Sequence, residues 1–243
     1  MRKFHQFRHQ EAAFIVATRR IETVRETIRQ VRSDLESYIN AFPAFRDSLI
    51  SLDRLEGTPP EAALRMHTAS QAVGVGPMAA VAGTVAQLAV EAAFAAGCRD
   101  TIVNNGGDIF MRLDQEALIG IYGGGHALAD KLAFRVAPET TPLSLCSSSS
   151  KMGHSLSFGD CDLATVCAAD GALADAAATL AGNLSRDAAS AKYAAERVAA
   201  IPGIQGVLIL VGEAVITAGA LPQLVACSHE AVRSRVLRHP ESR

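Results

Sequence analysis

The stretch Leu163-Ala-Thr-Val-Cys-Ala-Ala-Asp-Gly-Ala-Leu-Ala-Asp-Ala-Ala-Ala-Thr-Leu-Ala-Gly-Asn183 changes character part-way through. Its first seven residues, Leu163 to Ala169, read as a strand; from Leu173 onward it is built of small apolar residues dominated by Ala, the strongest helix former. Asp175 is the lone carboxylate in that run. A spacing of four places Asp175 and Thr179 on one helical face, one turn apart. A carboxylate and a hydroxyl together offer oxygen ligands to a hard cation. Mg²⁺ fits such a pair because it keeps several waters and takes only one or two carboxylates from a protein. The plainer reading is an acid near the start of a packing helix, favoured by the helix dipole alone.

Working outward, residues 4 to 18 hold a short β-like run, Phe14 to Ala17, that predicts one or two edge strands. From Thr18 to Leu52, apolar residues recur every three or four positions (Ile21, Val24, Ile28, Val31, Leu35, Ile39), the signature of an amphipathic helix, interrupted near Pro43. Pro59-Pro60 ends that segment and starts a helix from Glu61 to about Ala72. A loop at Gly74-Val75-Gly76-Pro77 precedes a small-residue helix, Met78 to Ala96. Beyond Gly97 the pattern becomes short β-like runs parted by Gly, Pro and Asp: Thr101–Asn104, Ile109–Leu113, Ala117–Tyr122, Leu132–Val136 and Leu143–Cys146. A second Ala-rich helix covers Ala188 to Ala200, and Ile204–Val211 with Ala214–Thr217 form a hairpin. Helices early, strands in the middle and a helix pair near the end predict an α+β fold, a mainly antiparallel or mixed sheet with packed Ala-rich helices. The expected organisation is a single domain over 1–243, with a helical part at about 18–97, a sheet and motif-bearing part at about 98–218 and a polar tail at 232–243.

The composition narrows the function classes. The 243 residues are 49% hydrophobic and 20% charged, with 5% aromatics and no Trp. A net charge of −2 gives no electrostatic footprint for nucleic acid. Behind Met-Arg-Lys, the apolar run Ala12–Ala17 is too short for a signal-peptide core. Pro77 to Gly97 carries Gln87 and Glu91 and is broken by Gly83, so it reads as a buried helix and not as a membrane span. Five cysteines at irregular spacings, without a CxxC, argue against a disulfide framework or structural zinc. A cytoplasmic location is the expectation.

Three glycine- and serine-rich segments offer chemistry. Asn104-Asn105-Gly106-Gly107-Asp108 lies between two β-like runs, where paired glycines let backbone approach a ligand, although Asn-Gly is also a plain hairpin signal. Gly123-Gly124-Gly125-His126 is a second such approach, or a surface turn. Cys146-Ser147-Ser148-Ser149-Ser150-Lys151-Met152-Gly153-His154 reads as a strand followed by a hydroxyl-rich turn at Ser147 to Ser150, whose backbone N–H groups would suit phosphate oxygens. Gly153-His154-Ser155-Leu156-Ser157 approaches the Gly-x-Ser-x-Gly nucleophile elbow, but the loop that follows and the late His229 and His239 make a serine hydrolase a minor alternative. Thiol chemistry at Cys146, Cys161 or Cys167 is another; buried free Cys is usually a small hydrophobe.

Taken in order, Gly83 in a small-residue helix, Val103-Asn-Asn-Gly-Gly-Asp-Ile109, His154 with Gly159 beyond it, a strand, and Ala174-Asp-Ala-Ala-Ala-Thr179 resemble the ApbE-like superfamily, whose characterised members are FAD:protein FMN transferases. The match looks nearest to a branch of short proteins with Gly-His-Ser-Leu-Ser-Phe-Gly followed by Ala-Asp-Ala-Ala-Ala-Thr. The resemblance implies that Gly83, Asn105, Gly106, Gly107 and Asp108 lie beside a flavin nucleotide, that His154 holds the place of the motif histidine, and that Asp175 and Thr179 match the Mg²⁺ ligands. It departs from the transferases where Phe14-Ile-Val-Ala-Thr18 replaces an Ala-Met-Gly-Thr segment, where Ala82-Gly83 replaces Lys-Gly, and where no Asp-Pro follows the histidine. The implied function is a Mg²⁺-assisted FAD or FMN site with FMN transfer to an acceptor protein or related pyrophosphate chemistry, Ser148 and Ser149 binding phosphate and His154 acting as general base. The alternative is a non-catalytic small-molecule-binding or accessory protein on the same scaffold. The Ala-rich helices suit packing within one chain or across a homodimer.

Overall fold

The computed structural model describes residues 2–122, 131–149 and 159–227. The chain opens with a hairpin, β1 (Phe4–His9) and β2 (Ala12–Ala17), and continues through α1 (Ile21–Ala41), the short α2 (Ala44–Asp47), α3 (Glu61–Val73) and α4 (Val81–Ala95). Strands β3 (Thr101–Asn105), β4 (Asp108–Arg112), β5 (Ala117–Gly120), β6 (Leu132–Val136), β7 (Leu143–Ser148) and β8 (Leu163–Ala168) follow. Then come α5 (Gly171–Leu184), α6 (Ala188–Ala199) and three more strands, β9 (Ile204–Val211), β10 (Ala214–Gly219) and β11 (Gln223–Ala226).

Eight strands form one sheet in the order β1-β2-β3-β4-β7-β8-β9-β10, and β11-β6-β5 form a second. Every pairing among the described residues is antiparallel. Alternation along the strands sends neighbouring side chains to opposite faces, so one sheet carries two cores. Val103 and Phe110 point to the helical side, where they pack with Val24 and Ile28 of α1 and Val85, Ala89 and Val90 of α4. Ile102 and Met111 point to the other side and meet Ile119, Phe134 and Val136 of the smaller sheet. On the helical side of β7, β8 and β9, the alanines of α5 and α6 pack on Ala164, Val166, Val207 and Ile209. Short side chains there let helix and sheet approach closely, and packing density takes the place of large rings.

The helix ends explain the boundaries. Asp170 caps α5 by accepting from the Leu173 N–H at 2.8 Å, and Asp187 with Ser190 closes a capping box on α6. Gly74 ends α3 in the left-handed conformation, φ 84°. The helix containing Gln87 and Glu91 is a core element: α4 and the turn before it, Pro77–Ala95, are apolar and long enough to cross a membrane by length and composition, yet over half of the stretch is buried within the fold.

Two expectations need correction. The predicted turn does not begin at Ser147, because β7 continues through Ser147 and Ser148, which pair with Thr165 and Ala164 of β8. Small hydroxyl side chains suit a strand crowded by a helix, and Ser147 Oγ meets Thr165 Oγ1 at 2.8 Å across the ladder. The strands predicted in one run also divide between two sheets, and β11, a four-residue strand that the sequence reading did not include, joins the smaller one.

Candidate functional site

Gly106 and Gly107 form the two-residue turn between β3 and β4, with Asn105 facing Asp108 across it. Both glycines have positive φ, 68° and 119°, which a side chain would strain. No heavy atom of the described residues lies within 4 Å of where a Cβ would stand on either glycine of the turn. The flanking asparagines fix it: Asn104 Oδ1 accepts from Gly107 N–H at 2.8 Å, and Asn105 Nδ2 donates to the Ala82 carbonyl at 3.2 Å. The second bond ties the turn to the start of α4.

At that point α4 crosses α5 with almost no separation. A Cβ on Gly83 would overlap the Gly171 carbonyl oxygen and stand 2.8 Å from Asp175 Cβ; one on Gly171 would stand 2.7 Å from the Gly83 carbonyl oxygen. Gly83 is therefore buried between helices, and its missing side chain admits α5. The helices also satisfy each other's first turns, which by themselves leave N–H groups unpaired. Asp175 Oδ2 accepts from Gly83 N–H at 2.8 Å, and Gln87 Oε1 on α4 accepts from Gly171 N–H at 2.7 Å. Gln87 Nε2 then donates to Glu91 Oε1 at 2.9 Å, and Glu91 pairs with Arg65 of α3.

Two acids meet in this interior. Asp175 is 9% exposed. Burial raises its pKa well above the ordinary carboxylate range and the neighbouring Asp108 raises it further, while the backbone N–H groups of Gly83 and Ala82 act in the other direction. Asp108 is pushed up to about 7, chiefly by burial, although Ser147 N–H donates to its Oδ1 at 3.1 Å and the Cys146 thiol also favours its charged form. The fully buried Cys146 thiol lies against both acids, and burial, then Asp108 and Asp175, hold it protonated far into the alkaline range. Thr179, one turn beyond Asp175, is half-buried, and its hydroxyl makes no hydrogen bond among the described residues.

The structure thus brings together Gly83, Asn105, Gly106, Gly107, Asp108 and Asp175, with Thr179 on the next turn of α5. Ser148 and Ser149 lie at the end of β7, the strand that contributes Ser147 and Cys146 to this cluster. Gly159 has no room for a side chain either: a Cβ would overlap the Gly182 carbonyl oxygen, and Asp160 N–H donates to Ser185 O at 2.8 Å, which fastens this part of the chain to the end of α5. His154, with Ser150 to Ser157, Gly123 to His126, His229, His239 and the tail at 232–243, lies outside the described residues. Of the other thiols considered, Cys161 sits against the Gly182 carbonyl and Cys167 faces Gln205 on the opposite side of the sheet, where burial pushes it to about 12. Neither joins the acids, and such thiols are poor nucleophiles at neutral pH.

Sequence reasoning placed Cys146 near the site and missed Gln87 as a member of the cluster. The signal for Gln87 was present: Gly83, Gln87 and Glu91 recur every four residues, one stripe along a helix otherwise apolar. For the Asp175 region, an oxygen-ligand cation fits what is present. Two acids stand in mutual electrostatic reach, one buried and one half-buried, and a threonine hydroxyl that has no hydrogen-bond partner among the described residues follows one turn later. No group of three or more His, Cys, Asp or Glu converges as a metal site among the described residues.

A family model described as AbpE bacteria matches residues 2–233. The chain belongs to this family. It is 41% identical over 232 residues to a UPF0280 protein of Archaeoglobus fulgidus, covering 92% of this chain and 94% of the relative. A UPF0280 protein of Methanocella arvoryzae is 40% identical over 200 residues, 82% of this chain and 81% of the relative. Among solved structures, the apo flavinyl transferase ApbE of Pseudomonas stutzeri superposes with a TM-score of 0.55 at 11% identity, covering 89% of this chain and 94% of that one. The α+β architecture of this AbpE family member is therefore that of the ApbE fold.

Proposed function

We propose that this protein binds a flavin nucleotide, FAD or FMN, together with Mg²⁺, and carries out FMN transfer to an acceptor protein or related pyrophosphate chemistry. The observation that carries the reading is the pair of acids, Asp175 buried and Asp108 half-buried, set beside a two-glycine turn, with the Thr179 hydroxyl one helical turn further on. Asp175 and Thr179 would hold the ion, which when bound would neutralise charge on diphosphate oxygens. The turn at Gly106 and Gly107 admits the nucleotide close to the backbone because no side chain stands there. Asn105 and Asn104 keep that turn in place, and the end of β7 at Ser148 and Ser149 offers hydroxyls to phosphate. His154 is the proposed general base, taking a proton from an acceptor hydroxyl.

A second reading draws on one specific contact. Asp175 already accepts the Gly83 N–H at 2.8 Å, so its carboxylate also serves as a cap on α4, and a protein that binds a small molecule without turnover would keep it for that purpose. Titration of the purified protein with FAD and Mg²⁺, followed by flavin fluorescence, tests the first reading. Saturable quenching that needs Mg²⁺ and disappears in Asp175→Ala supports it; no change with the natural protein, or the same change in the variant, removes it. Incubation with FAD and candidate acceptor proteins, read by mass spectrometry for covalent FMN, separates turnover from binding alone.

A further inference from the structure

The far end of the β3–β4 hairpin differs from the glycine turn in every respect. The residues that precede β3 (Gly97 to Asp100), follow β4 (Asp114) and follow β2 (Arg19 and Arg20) line a cleft of about 460 Å³. Its volume is that of an ordinary small-molecule pocket. Four steps of strand separate Thr101 from Asn105, about 13 Å at 3.3 Å per residue, so this cleft and the glycine turn are separate places.

The charges of the cleft do not cancel. Asp100 is saturated from below: Arg2 donates to it through Nε and Nη2, both at 2.8 Å, and the Asp114 N–H and Gln115 Nε2 add further bonds. The same arginine reaches the Glu116 carbonyl at 2.9 Å and the Gln115 carbonyl, which fixes the wall. Arg19, Arg20 and Arg99 are exposed, and none makes an ion pair among the described residues. Against these three guanidinium groups stands one exposed carboxylate, Asp114. Guanidinium forks match phosphate oxygens in geometry as well as charge.

We propose that the cleft formed by Arg19, Arg20, Arg99 and Cys98 is a binding site for a small phosphate-bearing solute, independent of the glycine-turn site. Cys98 provides a reporter inside it. Its thiol lies 3.5 Å from Thr18 Oγ1 and 3.4 Å from Thr101 Oγ1. Burial alone would raise it, but the hydrogen bonds of Thr101, Thr18 and the Arg19 backbone outweigh burial and hold it below the ordinary thiol range. A bound anion would block access to this sulfur and oppose its ionisation.

The experiment uses the full chain in EDTA, neutral iodoacetamide as the alkylating probe, inorganic pyrophosphate as the ligand and peptide mass spectrometry to follow each cysteine. Pyrophosphate is expected to slow Cys98 alkylation saturably, about tenfold at roughly ten times its Kd, and the Arg19→Ala/Arg99→Ala double variant to lose that protection while keeping its melting temperature. Protection should persist in Asp175→Ala, which keeps failure here distinct from failure of the flavin reading. Absence of protection, equal protection in the double variant, equal protection by citrate, or loss of protection in Asp175→Ala each overturns the proposal.

Discussion

The two ends of one hairpin handle charge in opposite ways. At the turn of β3 and β4, acids lie inside the fold with too few donors, and the nearest thiol, Cys146, is held protonated. At the open end, arginines stand outside with too few acceptors, and the nearest thiol, Cys98, is held below its ordinary range. The sheet between them is the same, so position in a sequence segment does not set a residue's chemistry. What sets it is which helix covers that end. α5 presses on the turn end closely enough to bury Asp175 and half-bury Asp108, whereas only the start of α1 and the end of α4 border the cleft.

The largest test of this contrast is steric. Gly83→Ala places a methyl on the Gly171 carbonyl, and overpacking of that kind is expected to cost about 3 kcal/mol, read as a fall in the urea midpoint without a change in slope. Gly106→Ala puts the same methyl into open space with only backbone strain to resist it, and should cost about 1 kcal/mol. If the two variants lose equal stability, the helix crossing is looser than described.

An electrostatic test comes next. The folded protein holds Asp108 up near 7, above its unfolded value, so it binds that proton more tightly than the unfolded chain. This stabilisation is complete below the unfolded pKa and is lost as pH rises through the folded one. Relative to Asp108→Asn, the natural protein should therefore lose about 4 kcal/mol between roughly pH 4 and pH 8 in thermal melts without divalent ions. A pH-independent difference would mean that Asp108 is solvated. Mg²⁺ should shrink the loss at the alkaline end and raise the melting temperature there more than at acid pH, since an ion held at Asp175 would offset the charge that Asp108 gains on losing its proton.

The smallest expected effect concerns Asp175→Asn, whose amide oxygen still accepts the Gly83 N–H. Without divalent ions at pH 8 it should be as stable as the natural protein or about 1 kcal/mol more stable, because burial disfavours the charged form of the acid and the amide has none. The Mg²⁺ response should vanish with it. A strongly destabilised Asp175→Asn would show that the acid matters to the fold through its charge.

Much of this arrangement was legible beforehand, for reasons that differ by residue. The Ala-rich run marked α5 because propensity and burial agree there, and the Gly106-Gly107 turn was readable because positive φ restricts residue choice. The pairing of Asp175 with Asp108 was not, since it links residues far apart in the chain through a helix crossing that only three dimensions reveal. Ser147 and Ser148 misled because serine is a turn former by local hydrogen bonding, and the ladder with β8 overrode that preference. The arginine cleft escaped notice because its walls come from three separate connections, each of which reads as ordinary polar surface.

The mutual capping of α4 and α5 bears on the life of the nascent chain. The partner of α4 emerges from the ribosome only after six intervening strands' worth of sequence, so the face of Pro77–Ala95 that meets α5, in a stretch with a mean hydropathy of 1.5, waits uncovered through that interval. A product truncated before Gly171 would never conceal it. Such fragments should engage chaperones or lipid surfaces in a manner that the finished polypeptide does not, and the exposed helix would mark them for removal.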